Sequence, residues 1–151
     1  CDRESFFYSD LHRMDKSEVL TAINAGNKNT LMEALGIEFT EASEGYVEAK
    51  MPVDFRTHQP MGLLHGGATA ALAETLGSVG SHMLIDRNTE ATVGIEINAN
   101  HMKGVKSGWV IGKAQIQHKG RKLHVWNIDV YDEHENKIAV CRLTNMIIQK
   151  K

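Results

Sequence analysis

A single acidic side chain lies on an otherwise small-residue face of the helix that the sequence predicts over residues 65–85. Residues three or four positions apart share one face of a helix, and the other members of this face are Gly67, Ala70, Ala71, Ser78 and Ser81. Exposed helix faces usually carry several charged residues. Two interpretations of Glu74 stay open: a solvated surface carboxylate, or a carboxylate in a tight, mostly dry site, where burial would raise its pKa and its basicity.

The start of the same helix offers unpaired backbone donors. His65, Gly66 and Gly67 follow a loop at residues 55–62 that contains a proline and a glycine. Glycines let another group approach the free N–H groups of a helix N-terminus, where the helix dipole also favours negative charge. Such donors suit a phosphate, or the oxyanion that forms on a carbonyl under attack. A glycine-rich turn that serves packing alone is the other interpretation.

The two features are far apart along the helix. Glu74 lies nine residues beyond His65, which is about 13 Å at the helical rise of 1.5 Å per residue. The Gly66 N–H and the Glu74 carboxylate of one chain therefore do not easily reach the same carbonyl carbon. Two such helices packed antiparallel about a two-fold axis would bring the start of one near the middle of the other. We therefore expect a homodimer whose two identical sites are shared between subunits.

The rest of the chain predicts strands on both sides of this helix. Val47, Ala49 and Met51 alternate with polar residues, which is the period of two typical of a half-buried strand. Short turns join the strands that follow the helix, and this indicates antiparallel neighbours, because parallel pairs need a crossover of about a dozen residues or more. The predicted strands span residues 37–42, 46–51, 91–102, 108–118, 123–131 and 137–149.

These elements predict an α+β arrangement, in which a curved antiparallel sheet wraps around one long central helix. One helix between two blocks of strands cannot cover both faces of a sheet, which argues against a doubly wound α/β fold. Residues 1–30 are interpreted as an N-terminal arm and short helix capped by Ser17, and residues 31–151 as a single domain. The helix stripe expected to pack on the sheet is Thr69, Leu72, Leu76, Val79 and Met83.

Composition excludes several other classes of protein. The 151 residues carry a net charge of −2, so no basic excess favours nucleic acid or an anionic membrane as the partner. The two cysteines cannot form a disulfide framework, and Cys141 among apolar neighbours is typical of a reduced core thiol, which favours a cytoplasmic location. The eight histidines include neither an HExxH motif nor a Cys/His cluster, so no metal site is expected.

The run HQPMGLLHGGATAALAE at residues 58–74 resembles the hotdog-fold acyl-CoA thioesterases. It is most similar to the branch of 4-hydroxybenzoyl-CoA, 1,4-dihydroxy-2-naphthoyl-CoA and phenylacetate-pathway thioesterases. Residues 93–101 (VGIEINANH) and 141–143 (CRL) are similar to the same branch. The similarity extends over residues 31–149, which is nearly all of the predicted fold.

The resemblance implies a role for each matching residue. Glu74 matches the catalytic carboxylate, acting either as a nucleophile that forms a mixed anhydride or as a general base for water. Gly66 matches the residue whose N–H polarises the thioester carbonyl. Gln59 and His65 match polar groups that orient the thioester, and Ser78 matches a hydroxyl that positions water or the carboxylate. The resemblance also implies a homodimer, commonly paired into a homotetramer.

Two further expectations concern substrate binding. The resemblance implies that His101 lies near a position that helps to form the acyl pocket. It also implies that a basic turn between two strands holds the phosphates of CoA; an ordinary hairpin with its glycine at positive φ is the other interpretation. The basic turn consists of His118, Lys119, Gly120, Arg121 and Lys122. The expected partners are an acyl-CoA substrate and a second copy of the chain, and no cofactor is expected because CoA is part of the substrate.

The residue types agree with thioester hydrolysis. That reaction needs a nucleophile or base and an oxyanion donor but little help for the leaving thiolate, and the absence of a Gly-x-Ser-x-Gly motif excludes the α/β-hydrolase route. Two alternative functions stay open: hydration or dehydration of an acyl thioester on the same fold, and a non-catalytic acyl-CoA binding module. The order of Gln59, His65 and Glu74 favours hydrolysis over hydration, and the surroundings of Glu74 count against binding alone.

Overall fold

The computed structural model describes residues 15–151 and contains three helices and six strands within that range. The helices are α1 (Lys16–Ala25), α2 (Leu31–Leu35) and α3 (Gly66–His82). The strands are β1 (Glu38–Ser43), β2 (Tyr46–Pro52), β3 (Glu90–His101), β4 (Trp109–Lys119), β5 (Leu123–Asp132) and β6 (Lys137–Gln149). Each predicted strand is present, and each of its ends lies within one residue of the predicted end.

The six strands form one curved antiparallel sheet in the order β1-β2-β4-β5-β6-β3, with α3 against it. Strands β4, β5 and β6 are consecutive hairpins, as the short turns predict. β3 is different. The short connection between β3 and β4 predicts that these two strands are neighbours, and this prediction is wrong, because β3 pairs with β6 at the far edge of the sheet. The α+β hotdog architecture predicted from the sequence is therefore confirmed.

The face of α3 that meets the sheet is closely packed. Leu72 and Leu76 are fully buried, and Trp126 of β5 is the largest side chain in the core around them. Two glycines let the helix approach that indole: a methyl group on Gly77 would lie 3.3 Å from the Trp126 Cγ atom, and one on Gly80 would lie 2.6 Å from its Cζ2 atom. The backbone of α3 thus sits directly on the ring, with no space for a side chain at Gly80.

This packing rotates α3 relative to the predicted stripe. Thr69, Leu72 and Leu76 of that stripe are buried as predicted. Val79 and Met83 are only partly buried, although they still pack against the core. Ser81 is fully buried against the sheet, although the sequence places it on the face of Glu74. The cause is the Trp126 indole, which draws the glycine side of the last helical turns onto the sheet.

The prediction that Ser17 caps α1 is wrong. Asp15 is the N-cap: its side chain accepts a hydrogen bond from the Glu18 N–H at 2.9 Å, and the Glu18 carboxylate accepts one from the Asp15 N–H at 2.9 Å. This reciprocal pair is a capping box, in which two of the unpaired donors at a helix start are satisfied together. The predicted end of α1 near Ala25 is confirmed.

The two edge strands of the sheet differ in length and surroundings. β1 has six residues, and the Asn24 side chain of α1 bonds both the N–H and the carbonyl of Phe39 within it. β3 has 12 residues and pairs with β6 along one side only. Val93 and Ile95 on β3 remain 41% and 50% exposed. Within the chain described, the β3 edge is thus long and open, and it exposes two large apolar side chains.

Two further observations concern the whole described chain. Among residues 15–151, no helix is long and apolar enough to cross a membrane. Cys141 is a free thiol buried in the core, as predicted, and burial raises its pKa to about 11. A thiol with such a pKa is protonated at neutral pH and is therefore a poor nucleophile.

Candidate active site

Glu74 lies in the middle of α3 and is half-buried between the helix and the edge strand β3. Its carboxylate rests on Gly94, where a methyl group would collide with it. Burial raises the pKa of Glu74 above its ordinary value. The interpretation of Glu74 as a fully solvated surface carboxylate is therefore wrong. Because Gly94 has no side chain, the carboxylate packs against the backbone of β3 at that residue.

The residues around Glu74 on α3 are also partly covered. Ser78, one helical turn further on, is half-buried, as are Ala70 and Ala71. Residues at i and i+4 are neighbours on a helix surface, so Ser78 and Glu74 share one face of α3. This half-buried set, consisting of Ala70, Ala71, Glu74 and Ser78, is called the open face of α3 below.

His65 is the N-cap of α3, and its side chain has a defined hydrogen-bonding state. Its Nδ1 atom accepts a hydrogen bond from the Gly67 N–H at 2.7 Å. A neutral imidazole that accepts at Nδ1 carries its proton at Nε2. His65 therefore presents an N–H donor on the far side of an exposed ring, in a position to bind an incoming polar group.

The Gly66 N–H at the first residue of α3 takes part in none of the hydrogen bonds of the described chain. The Gly67 N–H is occupied by the His65 ring, and the Ala68 N–H donates to the His65 carbonyl at 2.9 Å. The Gly66 N–H is therefore the donor of the first turn that has no acceptor within the described chain. Its position at the positive end of the helix dipole suits a developing negative charge.

His101, at the end of β3, lies against this same helix start. A methyl group on Gly66 would be 2.8 Å from the His101 Nε2 atom. The ring thus packs on the bare backbone of Gly66. His101 was expected near the acyl pocket, and in the single chain it neighbours the candidate oxyanion donor.

A short loop between β2 and α3 holds Gln59 beside the helix start. Thr57 anchors the loop, because its hydroxyl donates to the Pro52 carbonyl at 2.7 Å and its carbonyl accepts from the His65 N–H at 2.8 Å. The Gln59 Oε1 atom accepts from the Met61 N–H. The amide oxygen of Gln59 is thereby committed within the loop, and its NH₂ group is the end that remains for a ligand.

The structure therefore gathers the predicted residues into two groups in one chain. His65, Gly66 and His101 meet at the start of α3, and Gln59 lies in the loop that the bond between Thr57 and His65 ties to that start. Glu74 and Ser78 lie about two turns or more further along the helix. The separation predicted from the spacing is thus present in the folded chain.

The predicted basic turn connects β4 and β5 and is largely exposed. The interpretation of this turn as an ordinary hairpin includes a glycine at positive φ. Gly120 is not at positive φ, so this part of that interpretation is wrong. Its N–H donates to the Leu123 carbonyl at 2.9 Å, and the His118 ring packs against it. Lys119 pairs with Glu44 at 3.3 Å. Arg121 and Lys122 are exposed at the tip of the turn.

A buried polar cluster behind α3 has no counterpart in the sequence predictions. The Ser81 hydroxyl oxygen accepts from Trp126 Nε1 at 2.8 Å and from Asn145 Nδ2 at 2.8 Å, and it lies 3.1 Å from His124 Nδ1. Two incoming N–H donors leave the hydroxyl proton for His124 Nδ1, which fixes that imidazole in its neutral form. Burial is the main reason that the pKa of His124 is lowered, with the charge of Lys119 second.

Two residues that border Glu74 were missed from the sequence. Gly94 lies inside β3, opposite Asn145 of β6, and the register shifts between Gly94 and Glu96. A glycine inside a strand pattern signals a bulge or a close approach of another group, and this signal was available in the run VGIEI. Asn145 carries no such signal, because its place beside α3 depends on the pairing of β3 with β6.

Comparisons with known proteins identify the family to which this chain belongs. A sequence profile of the thioesterase superfamily matches residues 61–139. The proofreading thioesterase EntH of Klebsiella pneumoniae is 47% identical over 129 residues, covering 85% of this chain and 93% of EntH. A crystal structure of a mutant of thioesterase PA1618 from Pseudomonas aeruginosa superposes with a TM-score of 0.85 at 42% identity, covering 87% of this chain and 94% of that one.

A second solved structure gives the same result. The thioesterase HI1161 of Haemophilus influenzae superposes with a TM-score of 0.83 at 42% identity, covering 86% of this chain and 90% of that one. These matches each extend over 85–87% of the chain. The carboxylate at mid-helix and the free N–H at the start of α3 thus lie in a fold shared with thioester hydrolases, and the chain belongs to the hotdog-fold thioesterase superfamily.

Proposed function

We propose that this protein hydrolyses an acyl- or aroyl-CoA thioester to the free acid and CoA, with Glu74 of one subunit and the Gly66 N–H of its partner acting on the same carbonyl. Thioester hydrolysis is the activity of its family. The observation that carries the finer proposal is the Glu74 carboxylate, which is half-buried, has a raised pKa and rests on a strand glycine. A carboxylate in such a place is a stronger base than a solvated one.

The proposed reaction needs only groups already described. Glu74 either attacks the thioester carbonyl carbon itself or removes a proton from the water that attacks it. The carbonyl oxygen becomes an oxyanion, which the Gly66 N–H stabilises by donating a hydrogen bond. The C–S bond then breaks and the thiolate takes up a proton. In the general-base route this step gives the free acid directly. In the nucleophilic route the acyl group stays on Glu74 as a mixed anhydride, and the acid is released when water hydrolyses that anhydride. His65, through its Nε2–H, and the Gln59 amide would orient the thioester before attack.

A second copy of the chain would complete this site. The two groups of residues are about two helical turns apart in one chain, so one thioester cannot easily bridge them there. The 12-residue β3 edge, with exposed Val93 and Ile95, is the kind of strand edge that pairs with another chain when left uncovered. Pairing of two β3 edges about a two-fold axis would set two α3 helices side by side, with their open faces together. Pairing of two such dimers would give the tetramer.

The basic turn would hold the phosphates of CoA. Arg121 and Lys122 are exposed and take part in none of the described ion pairs, whereas Lys119 is engaged with Glu44. Exposed basic side chains bind phosphate as charges in water, so their contribution depends on ionic strength. We assign the turn to substrate capture and not to the chemical step.

The direct test is to follow thiol release from a panel of aliphatic and aromatic acyl-CoAs. The wild-type protein should release CoA, and the Glu74→Ala variant should be slower by about two to four orders of magnitude, because it lacks the central base or nucleophile. Glu41→Ala removes an exposed glutamate on β1, far from α3, and should retain full activity. The two variants should have the same fold by circular dichroism.

Other outcomes of the same assay would contradict the proposal. Binding of acyl-CoA without thiol release would indicate a binding module. Addition of water to an enoyl-CoA with the thioester intact would indicate a hydratase. Equal activity of Glu74→Ala and the wild type would remove Glu74 from the mechanism.

A further inference from the structure

Asn145 of β6 is a fully buried amide whose two ends have different surroundings. Its Nδ2 atom donates to the Gly77 carbonyl at 3.1 Å and to the Ser81 hydroxyl at 2.8 Å. Its Oδ1 atom is buried and has no hydrogen-bond partner in the described chain. An unpaired buried acceptor costs free energy, so its position calls for a donor at some stage.

The orientation of the Asn145 side chain is fixed by its neighbour on α3. The Gly77 carbonyl oxygen can only accept a hydrogen bond, so it must face the NH₂ end of the amide. Turning the amide over would bring two acceptor oxygens together at Gly77. The Oδ1 atom is therefore held pointing away from Gly77.

The Glu74 carboxylate and Asn145 Oδ1 are both neighbours of Gly94. A methyl group on Gly94 would lie 3.6 Å from Asn145 Oδ1 and would collide with Glu74 Oε1. The two oxygens thus share the same side of one glycine. Two acceptors in that arrangement repel each other while the carboxylate is ionised, and a proton on the carboxylate turns the pair into a donor and an acceptor.

Solvent does not supply the missing donor. The Oδ1 atom is closed off from water inside the chain, and the other polar neighbours of Asn145, Gly77 and Ser81, are bonded to its NH₂ end. The donor must therefore come from a group beside Oδ1. In the described chain, the group that gains a proton there is Glu74.

We propose that Asn145 is a positioning residue for thioester hydrolysis, which accepts on Oδ1 the hydrogen bond of the Glu74 carboxyl group when that group carries a proton. The inference rests on the proposed function, because it concerns the proton that the reaction delivers to Glu74. In the step concerned, water oxygen bonds to the thioester carbonyl carbon, and the water proton moves to Glu74. The C–S bond then breaks, and the proton passes on to the departing thiolate sulfur. Asn145 holds the protonated intermediate form between these two transfers, which favours the general-base role of Glu74 over the nucleophilic one.

Other titratable groups lie on the elements packed around Glu74. Burial is nevertheless the cause of its raised pKa, and no charged neighbour in the described part of the chain adds to it. The groups on these elements are His65 and His82 at the ends of α3, Glu90, Glu96 and His101 on β3, and Lys137, Cys141 and Arg142 on β6. A change confined to Asn145 leaves all of them in place.

The test is a titration of Glu74 that does not depend on activity. Protein labelled with ¹³C at the glutamate carboxyl carbon gives one signal for each glutamate, and Glu74→Gln identifies the signal of interest. Asn145→Leu keeps the volume and keeps water out but removes the acceptor. We expect it to shift the Glu74 midpoint to lower pH, an increase of about tenfold in the acid ionisation constant, because the protonated form loses its hydrogen bond. The acidic limb of the kcat/KM profile should move with it.

Ser81→Ala is the matched control. It removes the other partner of the Asn145 amide and loosens the same cluster, yet leaves Oδ1 beside Glu74. It should lower the unfolding temperature and leave the Glu74 midpoint in place. Where Asn145→Leu does not fold, Asn145→Ala is measured instead, with the same expected direction.

The possible results separate the two proposals. An unmoved midpoint in the Asn145 variant, or an equal shift in Ser81→Ala, would overturn the role of Asn145 even in an active thioesterase. A midpoint that shifts as expected in a protein that releases no thiol from any acyl-CoA would overturn the proposed function and the catalytic role of Asn145 together, while the hydrogen-bonded pair itself stands.

Discussion

The two sides of α3 are built from similarly small residues but have opposite surroundings. On the sheet side, Gly77, Gly80 and Ser81 are fully enclosed, and each is in contact with the Trp126 side chain or bonded to it. On the open face, Ala70, Ala71 and Ser78 are only half-buried and flank a carboxylate. Small side chains on the first side admit a large ring of the same chain. Those on the second side have no such partner within the described chain.

The difference shows that small residues on a helix have two separate uses. Against the sheet they are a packing requirement, and substitution there should affect the free energy of unfolding. On the open face they would leave room for the proposed substrate and for the second α3 of the proposed dimer, and substitution there should affect catalysis. Substitutions on the sheet side of α3, on its open face and at its first residue test this distinction.

The largest effect is expected at the start of α3, with Gly66→Pro. Proline is well tolerated at the first position of a helix, and it removes only the N–H that is proposed to bind the oxyanion. We expect kcat to fall by about 100- to 1000-fold. The measurement is steady-state hydrolysis of the best acyl-CoA found in the panel.

Gly66→Ala is the control for this change, because its new methyl group meets the same His101 ring while the N–H is retained. Its kcat should be much nearer to the wild-type value. Equal losses in the two variants would mean that crowding at His101, and not the missing donor, lowers the rate.

A matched pair of glycine substitutions tests the two sides of the helix directly. Gly80→Ala places a methyl group inside the Trp126 ring contact, and we expect it to lower the free energy of unfolding by about 1–3 kcal/mol. Gly94→Ala instead displaces the Glu74 carboxylate, a flexible group that can move away. We expect a loss of about tenfold or more in kcat, with a smaller change in stability.

Chemical denaturation and steady-state kinetics on both variants decide this pair. The comparison fails if Gly80→Ala lowers kcat per folded molecule as much as Gly94→Ala does. It also fails if Gly94→Ala retains full activity, because the position of the carboxylate would then not matter.

The smallest effect is expected from the basic turn, which is remote from both sides of α3. Replacing Arg121 and Lys122 by glutamine removes two exposed charges without disturbing the Lys119–Glu44 pair. KM for an acyl-CoA should rise by about three- to tenfold at low salt, and the difference should shrink as salt is added. A change in kcat with KM unaffected would contradict the assignment of the turn to phosphate binding.

The sequence predicted the sheet well because its signals are local. The alternation of Val47, Ala49 and Met51 and the short turns between later strands depend on neighbours in the chain, and each strand is found where it is predicted. The orientation of α3 is a different matter. It depends on Trp126, more than 40 positions away from the helical glycines that it touches, and no helical periodicity contains that information.

The candidate site also combines residues that local sequence signals predict with residues that only the tertiary fold brings together. Glu74 and the start of α3 are recognisable from residue type and spacing within one helix. The closeness of Gly94 and Asn145 to Glu74 depends on β3 crossing to the far edge and pairing with β6. Likewise, Asp15 takes the cap of α1 because its side chain completes a reciprocal pair with Glu18, which Ser17, already inside the helix, cannot form.

In the proposed enzyme, each active site contains Glu74 of one subunit and the Gly66 N–H of the other. A mixed dimer is the direct test of this arrangement. Glu74→Ala and Gly66→Pro chains, each with a different affinity tag, are co-expressed, and the dimer that carries both tags is purified. If the site is shared, one of its two sites has Glu74 and the Gly66 N–H both intact. The mixed dimer should then recover about half of the wild-type activity, far above either parent dimer. A mixed dimer no more active than its parents would contradict the claim, because each chain would then hold a complete site of its own and each site would be damaged.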